Sequence, residues 1–465
     1  MFLIKDKEFE PARFRRDIVG IKHKVPTLRK KRLQYINFDN AASTPALHPV
    51  LHEINDFLGW YSGVHRGTGY KSLLSSQVYD NCHEIAGKFV KADMDNDTVI
   101  MLKNTTEAIN KLSYRLALTT GDIVISTVME HHSNDLPWRR HKRVEYAGVN
   151  QQGQLNLLDV EAKLRHNYPK VKLLTVCGAS NVTGHLNPIH DLAEMAHEYQ
   201  AKILVDAAQL IPHQPIDMKP AANPRHIDYL AFSGHKLYAP FGSGVLIGPK
   251  STFLKGAPEY TGGGTVSMVT SKDIYWGGLP DREEAGSPNV IGAFALAQTI
   301  KYLQKLDMQK LAQYEDDLTH YAWNEILKLP GVKMYGAFPR VGVITFNLAG
   351  IGHSLLGSIL CYESGIGVRT GCFCAQPYVR KLLEIDENQE KVSAYLEQNP
   401  AQLPGMVRIS LAAYNTKSEI DRLMNSLKTI IASKGQYKRN YRFSESHGHY
   451  VPKCSQPLKL QPVHN

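Results

Sequence analysis

The fold class this sequence predicts is an α/β protein with a mostly parallel sheet covered by helices on both faces, followed by a smaller α+β unit. Three observations predict it. Between about residues 97 and 250, short apolar runs rich in β-branched residues alternate with stretches of helical period. Runs of that composition are what strands buried on both faces require. From about residue 300 the composition shifts to long amphipathic helices interleaved with a few strands, such as "GVITFNL" and "VRISL".

"DTVIM" is the first expected strand, and it precedes "TTEAINKLSYRLAL", whose Ala108, Ile109, Leu112 and Leu116 share one helical face. "DIVIST" and "VEYAG" follow as strands, then a helix around "DVEAKLRH". "KLLTVCGAS" leads to the Pro-led helix "NPIHDLAEMAHEYQ", and "KILVDAAQ", "IDYLAFS" and "GVLIG" complete seven strands. The last stretch, "YKRNYRFSESHGHYVPKCSQPLKLQPVHN", lacks periodicity and is expected to be extended or partly disordered.

At 465 residues the chain exceeds the size at which a single core stops growing, so two domains are the default. Its 43% hydrophobic and 9% aromatic content is ordinary for a globular protein. The six cysteines have no repeating spacing, which suits a reducing compartment better than a disulfide framework. The start "MFLIKDKEFE" turns charged after four apolar residues, and no window approaches a membrane span, so a cytoplasmic location is expected. The formal charge of +10 concentrates near the ends, in "RFRRDIVGIKHK", "LRKKR" and "KGQYKRNYR", without any nucleic-acid motif. Nucleic acid is therefore not the expected partner. Dinucleotide, P-loop, serine-hydrolase and zinc-protease motifs are all absent from the sequence.

Polar residues at the carboxyl ends of the expected strands form a coherent set, and ligands of open parallel sheets bind there. Thr105, Thr106 and Glu107 open a helix, where free N–H groups favour a phosphate. Further strands end at Glu130-His131-His132, at Ser180-Asn181, at Asp206 with Gln209, and at Ser233-Gly234-His235-Lys236 before the glycine-rich "YAPFGSG". Taken singly, Asp206 is as good a helix cap, His131 a satisfied loop histidine and Lys236 a solvated charge. Jointly, a phosphate cradle, a strand-end Asp, a His and a Lys suit pyridoxal phosphate. An Asp keeps that cofactor's ring nitrogen protonated, and a Lys binds it as a Schiff base.

"VRTGCFCAQP" adds two thiols one residue apart. Cys372 and Cys374 are poorly placed for a disulfide with each other, and no metal set completes them. They are either small hydrophobes or include one reactive thiolate.

The segments "FDNAAST", "NTTEAIN", "MEHHSNDLPW", "SNVTGHLNPI", "LVDAAQ" and "FSGHKLYAPFGSG" resemble the class V aminotransferase family of fold-type I pyridoxal-phosphate enzymes. The resemblance runs from about residue 36 to 425 and is nearest to the SUF-type cysteine desulfurase and selenocysteine lyase branch. It implies a 36–302 large cofactor-binding domain with a seven-stranded sheet and a 303–435 small domain, with a 1–35 arm packing on the small domain and a 436–465 basic tail. Residues 378–404 would be an insertion. It implies that Lys236 is the Schiff-base lysine, Asp206 the ring-nitrogen partner and His131 the stacking ring. Asn181 and Gln209 would contact the phenolic and imine region. Thr105, Thr106, Ser233 and His235 would hold the phosphate, and Ser287 would reach the phosphate of a neighbouring subunit, which implies a homodimer. Arg408, with Asn40, Asn181 and Arg369, would bind the substrate, Arg408 gripping its carboxylate.

The family's Arg-x-Gly-x-x-Cys loop maps onto Arg369, Gly371 and Cys374, making Cys374 the nucleophile that takes sulfur from L-cysteine as a persulfide. No metal is implied; a sulfur-acceptor protein is. Gly69 stands where relatives carry a His. The alternatives are another pyridoxal-phosphate enzyme of the family, such as a C–S lyase, selenocysteine lyase, epimerase or aminotransferase with Cys374 incidental, or a non-enzymatic binding protein using the basic ends.

Overall fold

The computed structural model describes residues 9–28, 32–141, 143–385 and 403–453. Seven strands form the large sheet: β1 (Asp97–Leu102), β2 (Ile123–Thr127), β3 (Val144–Ala147), β4 (Val171–Cys177), β5 (Lys202–Asp206), β6 (Tyr229–Ser233) and β7 (Gly244–Pro249). Their spatial order is β1-β7-β6-β5-β4-β2-β3, and only β7 runs against its neighbours.

Strand β5 shows why the runs are apolar throughout. Ile203 and Val205 pack into one core while Leu204 packs into another on the opposite face, and all three are fully buried. Burying such a side chain is worth about 1.5–3 kcal/mol, so both faces of the strand hold the helical layers. Register, parallel from β4 to β6 and antiparallel between β6 and β7, then brings the strand ends together. Cys177 pairs with Asp206, Asp206 with Ala231, and Ser233 with Gly244. Helix α1 (Thr105–Arg115) starts at this end, capped by the Asn104 side chain accepting from the Glu107 N–H.

A second, antiparallel sheet has the order β8-β9-β11-β10, from β8 (Val332–Tyr335), β9 (Val343–Leu348), β10 (Arg369–Gly371) and β11 (Met406–Ser410). Helices α2 (Met308–Leu327), α3 (His353–Ser364) and α5 (Lys417–Ala432) bury their apolar faces in its core, and the short α4 (Gln376–Leu382) follows the cysteine loop.

Two segments depart from the sequence reading, and the arm makes contacts beyond it. The arm contacts both units: Phe14 packs edge-on against Tyr238 and Asp17 accepts from Tyr302, while Arg15 pairs with Glu419. Much of the expected tail is folded. A helix over Lys434–Asn440 leads into a hairpin of Tyr441–Ser444 and His449–Pro452, and buried Tyr441 anchors that hairpin beside Tyr362 of α3. Alternation over four-residue strands is too brief to register as a period. The expected insertion begins inside the core, because Tyr378 and Val379 on α4 are fully buried and Tyr378 bonds Thr183 and Gly153. Residues 386–402 of that insertion lie outside the described residues.

Candidate active site

A cavity of about 470 Å³ opens at the carboxyl ends of the parallel strands and is roofed by the second sheet. At one end Asn104, Thr105 and Thr106 meet Ser233 and His235. Ser233 Oγ accepts from the Thr105 N–H at 2.8 Å and bonds Thr105 Oγ1 at 2.6 Å. The first N–H groups of α1 have no partner within the helix, and its dipole places partial positive charge there. Gly244 permits this closeness: a Cβ at that position would meet the Asn104 backbone at 2.5 Å. The main chain before Lys236 is pinned from below, where the His235 carbonyl accepts from the Thr44 N–H at 3.0 Å and from Ser43 Oγ at 3.0 Å.

Asp206 and Lys236 form the floor. Asp206 is buried, and its Oδ1 accepts from the Ala208 N–H at 2.9 Å. Desolvation raises the Asp206 pKa, opposed by that bond and by Lys236. Burial pushes Lys236 down to about 8, against the pull of Asp206 and with further help from Arg408. An amine half neutral near pH 8 is a usable nucleophile, which a solvated lysine is not.

His131 is the flat group on the wall. Its Nδ1 accepts the Ser133 N–H at 3.1 Å, so the hydrogen of the neutral ring sits on Nε2. Burial, with Lys236, His132 and Arg408 nearby, lowers its pKa to about 4, so the ring is neutral at physiological pH. Ser133 Oγ ties it to the Thr105–Thr106 end of the cavity, bonding His131 Nδ1 at 2.9 Å and Thr106 Oγ1 at 2.7 Å.

The roof is the cysteine loop after β10. Phe373 and Cys374 both have φ of +53°, a left-handed turn that non-glycine residues rarely adopt. Three contacts hold it. The Cys374 carbonyl accepts from the His132 N–H at 2.7 Å, Asn181 Nδ2 donates to the Phe373 carbonyl at 2.7 Å, and the Arg408 guanidinium lies 4.9 Å over the Phe373 ring. The two thiols are thereby separated. Cys374 is exposed and lines the cavity, whereas half-buried Cys372 packs against the core with its Sγ 3.5 Å from the Pro404 carbonyl.

Two arginines line the cavity together with Cys374. Arg408 donates to the Asn181 carbonyl at 2.8 Å and to Asp39 Oδ1 at 3.3 Å, and its Nε is buried without a partner among the described residues. Burial lowers its pKa to about 10, with Asp39 opposing. Arg369 pairs with Asp39 Oδ2 at 2.8 Å.

The cavity thus gathers Lys236, Cys374, His131, Thr105, Thr106, Asn181, Asp206, Gln209, Ser233, His235, Arg369 and Arg408. Two expected residues lie elsewhere. Asn40 is buried behind the lining, donating to the Ser410 carbonyl at 2.8 Å and accepting from Tyr414 at 2.5 Å, so in this chain it anchors β11. Ser287 is exposed and borders a different hollow with Tyr79, Glu284 and Ser243. Gly69 caps the helix Tyr70–Phe89 and does not line the cavity.

Sequence reasoning missed Asp39 and Ser133. Both stand inside segments already singled out, "FDNAAST" and "MEHHSNDLPW", but their roles arise from contacts across the fold. Asp39 lies 330 positions from Arg369, so no local pattern joins them.

The residues fit pyridoxal phosphate on this structure's own features. A dianion would meet hydroxyls and a helix N-terminus, a protonated ring nitrogen would meet Asp206, and a carbonyl carbon would meet a partly neutral lysine. Gln209 Oε1, buried without a partner among the described residues, is an unused acceptor on a residue of the cavity wall.

Residues 36–423 match the sequence profile of the family described as Aminotransferase class-V. A relative from Synechocystis sp. named probable cysteine desulfurase is 33% identical over 410 residues, 85% of this chain and 91% of that protein. The cysteine desulfurase of Yersinia pseudotuberculosis is 35% identical over 407 residues, covering 85% and 93%. Among solved structures, the cysteine desulfurase CsdA of Escherichia coli aligns with a TM-score of 0.77 at 28% identity, over 92% of this chain and 99% of that one. A cysteine desulfurase from Thermococcus onnurineus gives 0.76 at 28% identity, over 90% and 98%.

Proposed function

The chain belongs to the class-V aminotransferase family, and from that premise we propose that it is a pyridoxal-phosphate-dependent cysteine desulfurase converting L-cysteine to L-alanine. One observation carries the choice within the family: Cys374 shares a cavity with Lys236, Asp206 and Arg408 while half-buried Cys372 lies outside its lining and packs against the core. An epimerase or aminotransferase needs no thiol there.

When bound, pyridoxal phosphate supplies an electron sink for the bonds broken at the substrate's α- and β-carbons. The protein does the rest. Thr105, Thr106, Ser233, His235 and the start of α1 would hold the phosphate. Asp206 would keep a ring nitrogen protonated, and neutral His131, braced by Ser133, would offer its flat face to the ring. Lys236 would anchor the cofactor and carry the substrate's α-proton. Arg408 and Arg369 bind the α-carboxylate, with Asp39 holding both guanidinia in place beforehand. Cys374 attacks the substrate sulfur. Its S–S bond forms as the substrate's C–S bond breaks, and the released electron pair ends as a C–H bond of alanine. Thiol plus cysteine gives persulfide plus alanine, so no external oxidant or reductant enters.

Two finer features belong to this reading. The enzyme acts as a homodimer: the hairpin Val266–Val269 and Ile274–Trp276 leaves Met268, Val269, Ile274 and Tyr275 about half exposed, as are Trp60, Tyr61 and Leu73. A second copy covering them would also receive exposed Ser287. The persulfide is then handed to an acceptor protein in the cytoplasm.

The decisive experiment is to purify the protein, record its absorbance, and supply single amino acids. A cofactor band that responds to L-cysteine, with stoichiometric alanine and a persulfide mapped to Cys374, is the expected outcome. A cofactor band without sulfur release would move the lyase or epimerase alternatives ahead.

A further inference from the structure

Behind Gln209, away from the cavity, two buried groups stand in line. Gln209 Nε2 lies 3.1 Å from His213 Nε2, and His213 Nδ1 bonds Glu315 of α2. The three side chains are only 4%, 6% and 3% exposed. The contacts assign the hydrogens. A carboxylate only accepts, so His213 Nδ1 carries the hydrogen directed at Glu315; with the Gln209 amide nitrogen facing it, Nε2 of the same ring is the acceptor. Only the amide nitrogen of Gln209 can face that acceptor, which leaves Gln209 Oε1 turned away from His213. That oxygen is the buried one without a partner among the described residues, on a residue that lines the cavity.

Neither His213 nor Glu315 lines the cavity. Glu315 Oε2 is also buried without a partner among the described residues. A buried carboxylate served by so few donors costs stability that an apolar residue of similar volume would not. Packing alone gives no reason for the pair. Its effect on the Gln209 amide does.

We propose that Glu315 and His213 are positioning residues that hold the Gln209 amide in a single orientation where it meets the cofactor. This rests on the pyridoxal-phosphate reading of the cavity. It also makes α2, from the second unit, part of the support for a residue on the large sheet.

The test is a double-mutant cycle read by cofactor binding. Apo protein is titrated with pyridoxal phosphate and followed by its absorbance band in wild type, His213→Ala, Gln209→Ala and the double variant. Each single change is expected to weaken binding about three- to tenfold and to move the band the same way. In the Gln209→Ala background, His213→Ala should add less than about twofold, because a residue acting through Gln209 has nothing left to act on. His213→Gln, whose own carbonyl can accept the Gln209 N–H, should restore most of the affinity and the wild-type band. Should His213→Ala not fold, His213→Leu, which fills the space without accepting a hydrogen bond, replaces it in the cycle. Losses that multiply in the double variant overturn the proposal and leave the cofactor reading standing. So does a His213 variant that melts lower with band and affinity unchanged. A wild-type protein that takes up no pyridoxal phosphate overturns both.

Discussion

Raising the pH should switch on cofactor capture by the apo protein with a midpoint near 8, and the structure says why. Lys236 is buried at the cavity floor, and removal from water lowers its pKa from 10.5 to about 8, with Asp206 opposing and Arg408 assisting. The sign follows from the charge. Burial and Arg408 disfavour the ammonium form, so the neutral amine becomes available at lower pH than in solution. At pH 7 roughly one molecule in ten carries it, against about one in three thousand for an ordinary lysine, a gain of about three hundredfold. Stopped-flow absorbance after mixing apo protein with pyridoxal phosphate, from pH 6 to 9.5, reads the capture rate directly. It should rise about tenfold per pH unit below 8 and level off above. His131, with a pKa near 4, stays neutral across that range, but buried Glu130 is raised to about 7 and titrates within it. Arg408→Gln separates the two: it removes a cation near Lys236 and should move a Lys236 midpoint upward by as much as about one pH unit. A midpoint at or above 10, a flat profile, or a midpoint that Arg408→Gln leaves in place would refute the assignment of Lys236.

Asp206→Asn should retain the cofactor yet lower turnover at least about a hundredfold, because an amide cannot keep the ring nitrogen protonated; near-wild-type rates in steady-state assays would count against it. Cys374→Ser should bind L-cysteine but carry no persulfide by mass spectrometry, whereas Cys372→Ser should keep a measurable share of the rate; sulfur found first on Cys372 would reverse the two roles. Ser133→Ala should cost less than about tenfold in kcat/KM, since the Ser133 N–H still fixes the His131 ring, and a larger loss would show that the hydroxyl itself touches the reacting groups. Borohydride reduction of the loaded enzyme followed by peptide mapping should place the adduct on Lys236 alone.

The division between what was readable from sequence and what was not follows the range of the interactions. Seven apolar, β-branched runs separated by helical stretches determined the large sheet, because burial on both faces acts on each strand separately and leaves its mark within five or six residues. Strand ends are equally local, which is why Asp206, Ser233 and Lys236 stand out as a set in the sequence. The antiparallel course of β7 could not be, since a short apolar run is the same in either direction. Nor could the folding of the tail, where each strand of the hairpin spans only four residues. The roles of Asp39, Ser133, Asn40 and His213 depend on partners brought together by packing: Asn40 on Ser410 and Tyr414, His213 on Glu315 about a hundred positions away. The two thiols show the boundary most sharply. Their spacing by itself left both open as nucleophiles, and it was the left-handed turn at Phe373 and Cys374, held by His132, Asn181 and Arg408, that turned one sulfur to the cavity and the other to the core. Side-chain chemistry is written residue by residue, but which groups meet is decided by the tertiary fold.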